Sequence, residues 1–263
     1  MLAGIDLVTG KVHALVKDRH RSREFNFVEL DGASNSLSLV LSATATSTGG
    51  GASASNTPDV SQDTAPGEVS NNEIIFGQGN NDHVNVEGDL SGNTIRFGNG
   101  TDDSVTADTS SNNKITMGNG NGDAVTLGSG GGGDTINTGT GLDTVAVGSH
   151  TNPDTFGFAL GTNGSSFTTI TGAQIGDHLT CNNAFGNSLQ LGINVVNSVT
   201  SATTLANFIA GLVLTSGNTY VGANGTDTFV VTDHNGQIGA VELVGVFAGT
   251  ATASHVLTLH GVT

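Results

Sequence analysis

IIFGQGNNDHVNV (residues 74–86), IRFGNGTDDSVTA (95–107), ITMGNGNGDAVTL (115–127) and INTGTGLDTVAV (136–147) align on their Gly-x-Gly turns. Asp82, Asp103, Asp123 and Asp143 fall 21, 20 and 20 residues apart, and Val84, Val105, Val125 and Val145 keep the same step. Each unit holds two short strand signals, one through Ile74, Ile95, Ile115 and Ile136 and the other through the valines. A strand of three to five residues makes no stable sheet alone, whereas stacked copies build two parallel sheets around an aliphatic ladder. The glycine density excludes helix, since each internal glycine costs about 1 kcal/mol there. The fixed period therefore predicts an all-β chain, a parallel β-roll or β-solenoid, with a carboxylate in every turn.

Those turns carry the chemistry that the sequence offers. Glycine at alternate positions permits positive φ and turns carbonyl oxygens inward, and the aspartate that follows adds a carboxylate. Calcium takes six to eight hard oxygens, so one turn supplies part of a shell and an ion is expected between successive turns. The candidate ligands are Gly77, Gly79, Asp82, Gly98, Gly100, Asp102, Asp103, Gly118, Gly120, Asp123, Gly139, Gly141 and Asp143, with Gly130, Gly132 and Asp134 on the opposite edge. Asp102 and Asp103 are adjacent, and either could be the ligand of its turn. The opposite edge reads EGDLSGN, ADTSSNN and GSGGGGD, so only its last turn is well formed. About three ions are expected on the first edge and few or none on the second. A solenoid closed by Asn and Gly turns without metal is the competing reading.

Composition supports cation binding. From Asp31 onward 19 acidic residues face only Arg96 and Lys114, a formal charge of −17, which argues against nucleic acid as a partner of that region. The 40 glycines, single tyrosine and absence of tryptophan exclude an aromatic-rich core. Cys181 is the sole cysteine, so no intrachain disulfide can form. No stretch reaches the roughly 18 apolar residues of a membrane span, and no N-terminal secretion signal is read in MLAGIDLVTGKVHALVKDRH.

Four segments are expected: residues 1–25, a low-complexity linker with one strand at 26–70, the repeats at 71–150, and a β-rich capping domain at 151–263. The last carries strand signals at Phe167–Thr171, His178–Thr180, Thr219–Val221, Thr228–Val231, Val241–Val246 and His255–His260, and one helix at Ala202–Leu214. Residues 1–25 read as a hairpin turning at Thr9-Gly10, followed by an Arg-rich stretch. They resemble an internal piece of a DDE-type insertion-sequence transposase, without that family's aspartate-asparagine-histidine motif. The expectation is a non-functional fragment, with DNA binding as its alternative.

TGTGLDTVA (138–146) and GGGGDTI (130–136) resemble the nonapeptide of RTX (hemolysin-type) calcium-binding repeats. The turns starting at Gly77, Gly98 and Gly118 each carry one extra residue relative to that pattern. ITGAQIGDHL (170–179), TTLANFIAG (203–211), GNTYVGANGTDTFVVTD (217–233), AVELVGV (240–246) and VLTLHGVT (256–263) resemble the ends of RTX proteins exported by type I secretion. This resemblance implies an extracellular or cell-surface protein that meets the type I machinery, crosses unfolded and folds on calcium outside. Its expected role is a structural or adhesive surface module with possible self-assembly, or else the carrier and secretion end of a truncated RTX effector. No HExxH, zinc-ligand histidine spacing or Gly-x-Ser-x-Gly elbow occurs, so no enzyme is expected. His83 beside Asp82 reads as a turn residue, and Cys181 as a passive thiol.

Overall fold

A computed structural model describes residues 4–6, 11–13, 27–30, 36–40, 67–160, 167–182, 188–189, 194–245, 247–251 and 256–262. The chain is all-β and winds into a parallel β-solenoid of about seven turns. In one sheet the strands Glu73–Phe76, Thr94–Arg96, Lys114–Thr116 and Thr135–Asn137 stack in register, so that Ile74, Ile95, Ile115 and Ile136 form a column. In the other, His83–Ser91, Ser104–Ser111, Ala124–Leu127 and Leu142–Val147 align Val84, Val105, Val125 and Val145. Both columns are at most 1% exposed, because alternation puts every second side chain of each strand inside the coil. Phe76 and Phe97 stack one coil apart at 4.5 Å between ring centres.

The coil extends beyond the recognisable repeat in both directions. Upstream, Phe27–Leu30 pairs with Glu73–Phe76, and Ser36–Val40 pairs with His83–Ser91, both parallel. Gly67–Ser70 also joins the second sheet. The region expected to supply one strand before a linker thus supplies three described strands to the roll. Downstream, Thr155–Ala159 and His178–Asn182 continue the first sheet, while Phe167–Thr171 and Gln237–Val244 continue the second. The sequence repeat fades after residue 150, but the inward positions stay apolar: Phe156, Phe158, Ile170, Leu179 and Leu243 are all buried. One continuous apolar cluster accordingly runs from Val69 to Leu259.

The C-terminal residues close the solenoid by switching direction. Asn218–Ala223, Asp227–His234 and Gln237–Val244 form an antiparallel meander, and Asn194–Val199 adds a parallel strand outside it. Leu257–His260 runs antiparallel to His178–Asn182. The strands expected here are present, and Thr155–Ala159, Asn194–Val199 and Ala248–Ala251 add to them.

The helix spans only Leu205–Ala210 rather than the whole of Ala202–Leu214. Thr204 caps its first turn by accepting the Asn207 N–H at 3.2 Å, and Gly211 ends it. Leu205 and Phe208 pack on Tyr220, Phe229, Val231 and Ala240. Gly4–Asp6 and Lys11–His13 pair antiparallel. The Thr9-Gly10 turn, the Arg-rich stretch and residues 42–66 lie outside the described residues.

Candidate metal centre

The glycines of the first edge are required mainly by stacking. A Cβ on Gly98, Gly118 or Gly139 would lie 1.9, 1.6 or 1.4 Å from the carbonyl oxygen of the glycine one coil below. On Gly100, Gly120 or Gly141 it would lie 1.7, 1.6 or 1.8 Å from the next such oxygen. Positive φ is needed at Gly118 (+92°) and Gly139 (+78°), whereas Gly98, Gly100 and Gly120 lie outside that region. Close approach of successive turns therefore explains the column more completely than backbone conformation does.

After the Gly-x-Gly of the first three turns, the chain takes one residue in the left-handed region and then turns an aspartate inward; the fourth turn reaches Asp143 directly through Leu142. Asn81 (φ 57°), Asp102 (φ 61°) and Gly122 (φ 84°) hold the left-handed position, and the N–H of each donates to a carbonyl one coil on. These are the residues by which the three turns exceed the nonapeptide pattern. Asp102 is consequently exposed and Asp103 fully buried, so Asp103 belongs to the carboxylate column.

Asp82, Asp103, Asp123 and Asp143 are at most 2% exposed. The backbone N–H of Asp82 donates to Asp103 Oδ1 at 2.9 Å, that of Asp103 to Asp123 Oδ1 at 3.0 Å, and that of Asp123 to Asp143 Oδ1 at 3.2 Å. One oxygen of each receiving carboxylate thus ties a coil to the coil before it. The second oxygen, Oδ2 of Asp103, Asp123 and Asp143, is buried without a hydrogen-bond partner.

The opposite edge carries an equivalent ladder that sequence reasoning missed, apart from Asp134. Asn72, Asn93, Asn113, Asp134, Asp154 and Asp177 point inward, and each of the first five donates its backbone N–H to the Oδ1 of the next. The signal was present as SNN (70–72), SGN (91–93), SNN (111–113), GGD (132–134), NPD (152–154) and IGD (175–177). Here the second side-chain atom of the receiving residues is partnered, although Asn72 Oδ1, at the head of the ladder, is not. Asn93 Nδ2 donates to Val69 O at 2.7 Å and Asn113 Nδ2 to Leu90 O at 2.8 Å. Asp134 Oδ2 accepts from Ser110 Oγ at 2.8 Å, and Asp177 Oδ2 from the Gln174 N–H at 2.7 Å.

Burial dominates the electrostatics of the first edge. It pushes the carboxyl of Asp103 up to about 6, Asp123 to about 7 and Asp143 to about 8, from an ordinary 3.8. The neighbouring aspartates add to the rise, and the accepted backbone N–H opposes it. A carboxyl whose folded pKa is raised contributes stability below its unfolded value and loses it as pH rises through the folded one. Metal-free protein is therefore expected to melt at a higher temperature at pH 5 than at pH 8, the reverse of ordinary acid denaturation. Thermal melts in chelator across that range check this, and a maximum near pH 8 would contradict it.

Among the described residues, no group of three or more His, Cys, Asp or Glu side chains is arranged to hold a metal ion by itself. A cation on the first edge would instead draw on the Oδ2 atoms of successive aspartates and on glycine carbonyls. That donor set is oxygen alone, which suits a hard cation such as calcium and not a thiophilic one. The Oδ2 atoms of Asp103, Asp123 and Asp143 are buried without hydrogen-bond partners and so would be available to such an ion, whereas both carboxylate oxygens of Asp134, in the turn of Gly130 and Gly132, are already engaged. His83 Nδ1 lies 2.7 Å from Ser104 Oγ one coil on. Cys181 is buried, with its thiol pushed up to about 12. Comparison with protein-family models, curated proteins and solved structures finds no match for this chain.

Proposed function

We propose that this protein is a calcium-dependent structural module, non-catalytic and exported by a type I route, whose solenoid folds when calcium enters its aspartate edge. The observation that carries the reading is the row of buried, partnerless Oδ2 atoms on Asp103, Asp123 and Asp143. A buried ionised carboxylate is costly unless paired, and a divalent cation shared between coils pairs two at once. Asp82 heads the same column. The turn of Gly130, Gly132 and Asp134 is left metal-free in this assignment, and Asp102 stays outside the shell.

Magnitudes favour a folding role over a decorative one. An ion present at a hundred times its dissociation constant stabilises the folded state by about 2.7 kcal/mol. Three such ions would supply about 8 kcal/mol, within the roughly 5–15 kcal/mol that holds a typical domain. In a low-calcium cytosol the carboxylates would repel one another and keep the chain open for passage through a type I exporter. Outside the cell, calcium would close the roll into a structural or adhesive surface element.

Chelator-treated protein is titrated with calcium while circular dichroism, light scattering and binding heat are followed. The expected result is a gain of β signal together with uptake of about three ions. A chain already fully folded in chelator at pH 8, where the column is largely ionised, or one that takes up no calcium, would overturn the reading. Light scattering separates simple folding from surface assembly.

A further inference from the structure

We infer that His150, Asp154 and Asp177 form a pH-gated latch that ties the last regular coil to the C-terminal strands, closed when the imidazole is protonated. The latch lies on the second edge and stands independently of the calcium reading. His150 belongs to His150–Asn152, which stacks on Gly130–Gly132. Asp154 and Asp177 lead into the next two strands of the opposite sheet, Thr155–Ala159 and His178–Asn182.

Both ring nitrogens face acceptors. Nε2 is 2.9 Å from Asp177 Oδ1, and Nδ1 is 2.9 Å from the Gly148 carbonyl oxygen and 3.5 Å from Asp154 Oδ2. A carbonyl and an ionised carboxylate can only accept, so satisfying both sides requires two ring protons and hence a positive charge. The Gln174 amide Nε2 lies 2.8 Å from Nδ1 and donates to the His150 carbonyl oxygen at 3.5 Å; with the ring protonated, the carboxamide turns its oxygen to Nδ1 and gives up that longer bond. The imidazole side chain is 5% exposed and the two carboxylates 1–2%, so solvent screens the contact little.

The charged groups facing the ring are Asp154, from the turn before one strand, and Asp177, from the turn before the other. Asp134 lies one coil back and donates its N–H to Asp154 Oδ1 at 2.9 Å. His178, beside Asp177, turns instead to Thr258 Oγ1 at 3.1 Å. Among the described residues, the ion pairs are His150–Asp154 and His150–Asp177. Burial acts to lower the imidazole pKa, but the Gly148 and Asp177 hydrogen bonds and the two carboxylate charges outweigh it, leaving a net rise.

The position gives the latch its consequence. Asp177 terminates the second-edge ladder, and its carbonyl accepts the Leu259 N–H at 2.9 Å. The Gly176 N–H returns a bond to Leu259 O at 2.9 Å. The last strand, Leu257–His260, therefore docks on the turn that His150 holds. A raised imidazole pKa means that this stabilisation is present below 6.5 and lost as pH rises through the folded value, while on the acid side it is bounded by the Asp154 carboxyl, which burial pushes up to about 6.

The test uses the full chain in saturating calcium, so that the first edge stays constant. The His150 ring is titrated by NMR, and amide exchange of the 256–262 segment is followed between pH 6 and 9 after correction for intrinsic rates. The expected results are a ring midpoint above the ordinary value and a fall in protection of about tenfold for each pH unit of pKa rise. In His150→Gln, protection should be low and independent of pH. A ring midpoint at or below the ordinary value, constant protection in the native chain, or a pH dependence that survives in His150→Gln would overturn the latch. Should His150→Gln fail to fold, the native ring titration alone decides.

Discussion

Replacing Asp103, Asp123 and Asp143 together by asparagine is expected to yield a folded solenoid that no longer needs or binds calcium. The protein contains its own precedent on the opposite edge. There, Asn93 and Asn113 occupy the equivalent ladder positions, accept the preceding N–H through Oδ1 and satisfy their second atom by donating to a carbonyl. Asparagine has nearly the shape of aspartate and no charge to desolvate. Each replacement removes a buried acceptor that lacks a partner in metal-free protein, and such a group costs about 1–3 kcal/mol. The triple variant should hold its β signal in chelator, show no binding heat with calcium and lose most of the pH dependence of its melting. Retained calcium uptake would move the site elsewhere. Alanine in place of Asp123 should behave oppositely, because it leaves the Asp103 N–H without its acceptor.

The second large effect is expected from Gly100→Ala and Gly120→Ala. Neither glycine needs positive φ, so on conformational grounds alone the substitutions would be mild. The new methyl group would nevertheless fall 1.7 or 1.6 Å from a backbone oxygen of the turn below. No side-chain rotation relieves a clash between main chain and Cβ, so adjacent coils must separate and the hydrogen bonds that link their aspartates must stretch. A loss of about 3 kcal/mol or more is expected, at the upper end of overpacking effects. Gly211→Ala is the contrasting substitution, since its Cβ would meet nothing closer than 3.5 Å. Denaturant melts in saturating calcium compare the three, and equal stabilities would refute the stacking explanation.

How much could be read before the fold was known follows from which properties are local. The step of 20 or 21 residues and the valine and isoleucine columns are properties of the chain, and they led directly to two parallel sheets. The second-edge ladder was overlooked because Asn, Gly and Ser are ordinary turn residues and carry no chemistry singly. Only stacking in register turns them into a column of side-chain amides. Phe156, Ile170 and Leu179 likewise lie in segments whose turns differ in length from the repeat, so no period announces them.

The choice between Asp102 and Asp103 shows where the boundary lies. Spacing alone favoured neither, since one fits the nonapeptide pattern and the other aligns with the neighbouring repeats. The coil decides, because the left-handed turn at Asp102 places its N–H against Asn121 O and leaves the next residue as the first of an inward-facing strand face. The sequence by itself determined the period, the sheet pairing and the acidic character of one edge, all of which follow from residue type and spacing. The tertiary structure alone decided which carboxylate oxygens are left without partners, which side chains satisfy the rest, and that His150 lies between two aspartates 4 and 27 residues away. Those outcomes depend on what lies one coil above or below, a neighbour that no short window of the chain contains.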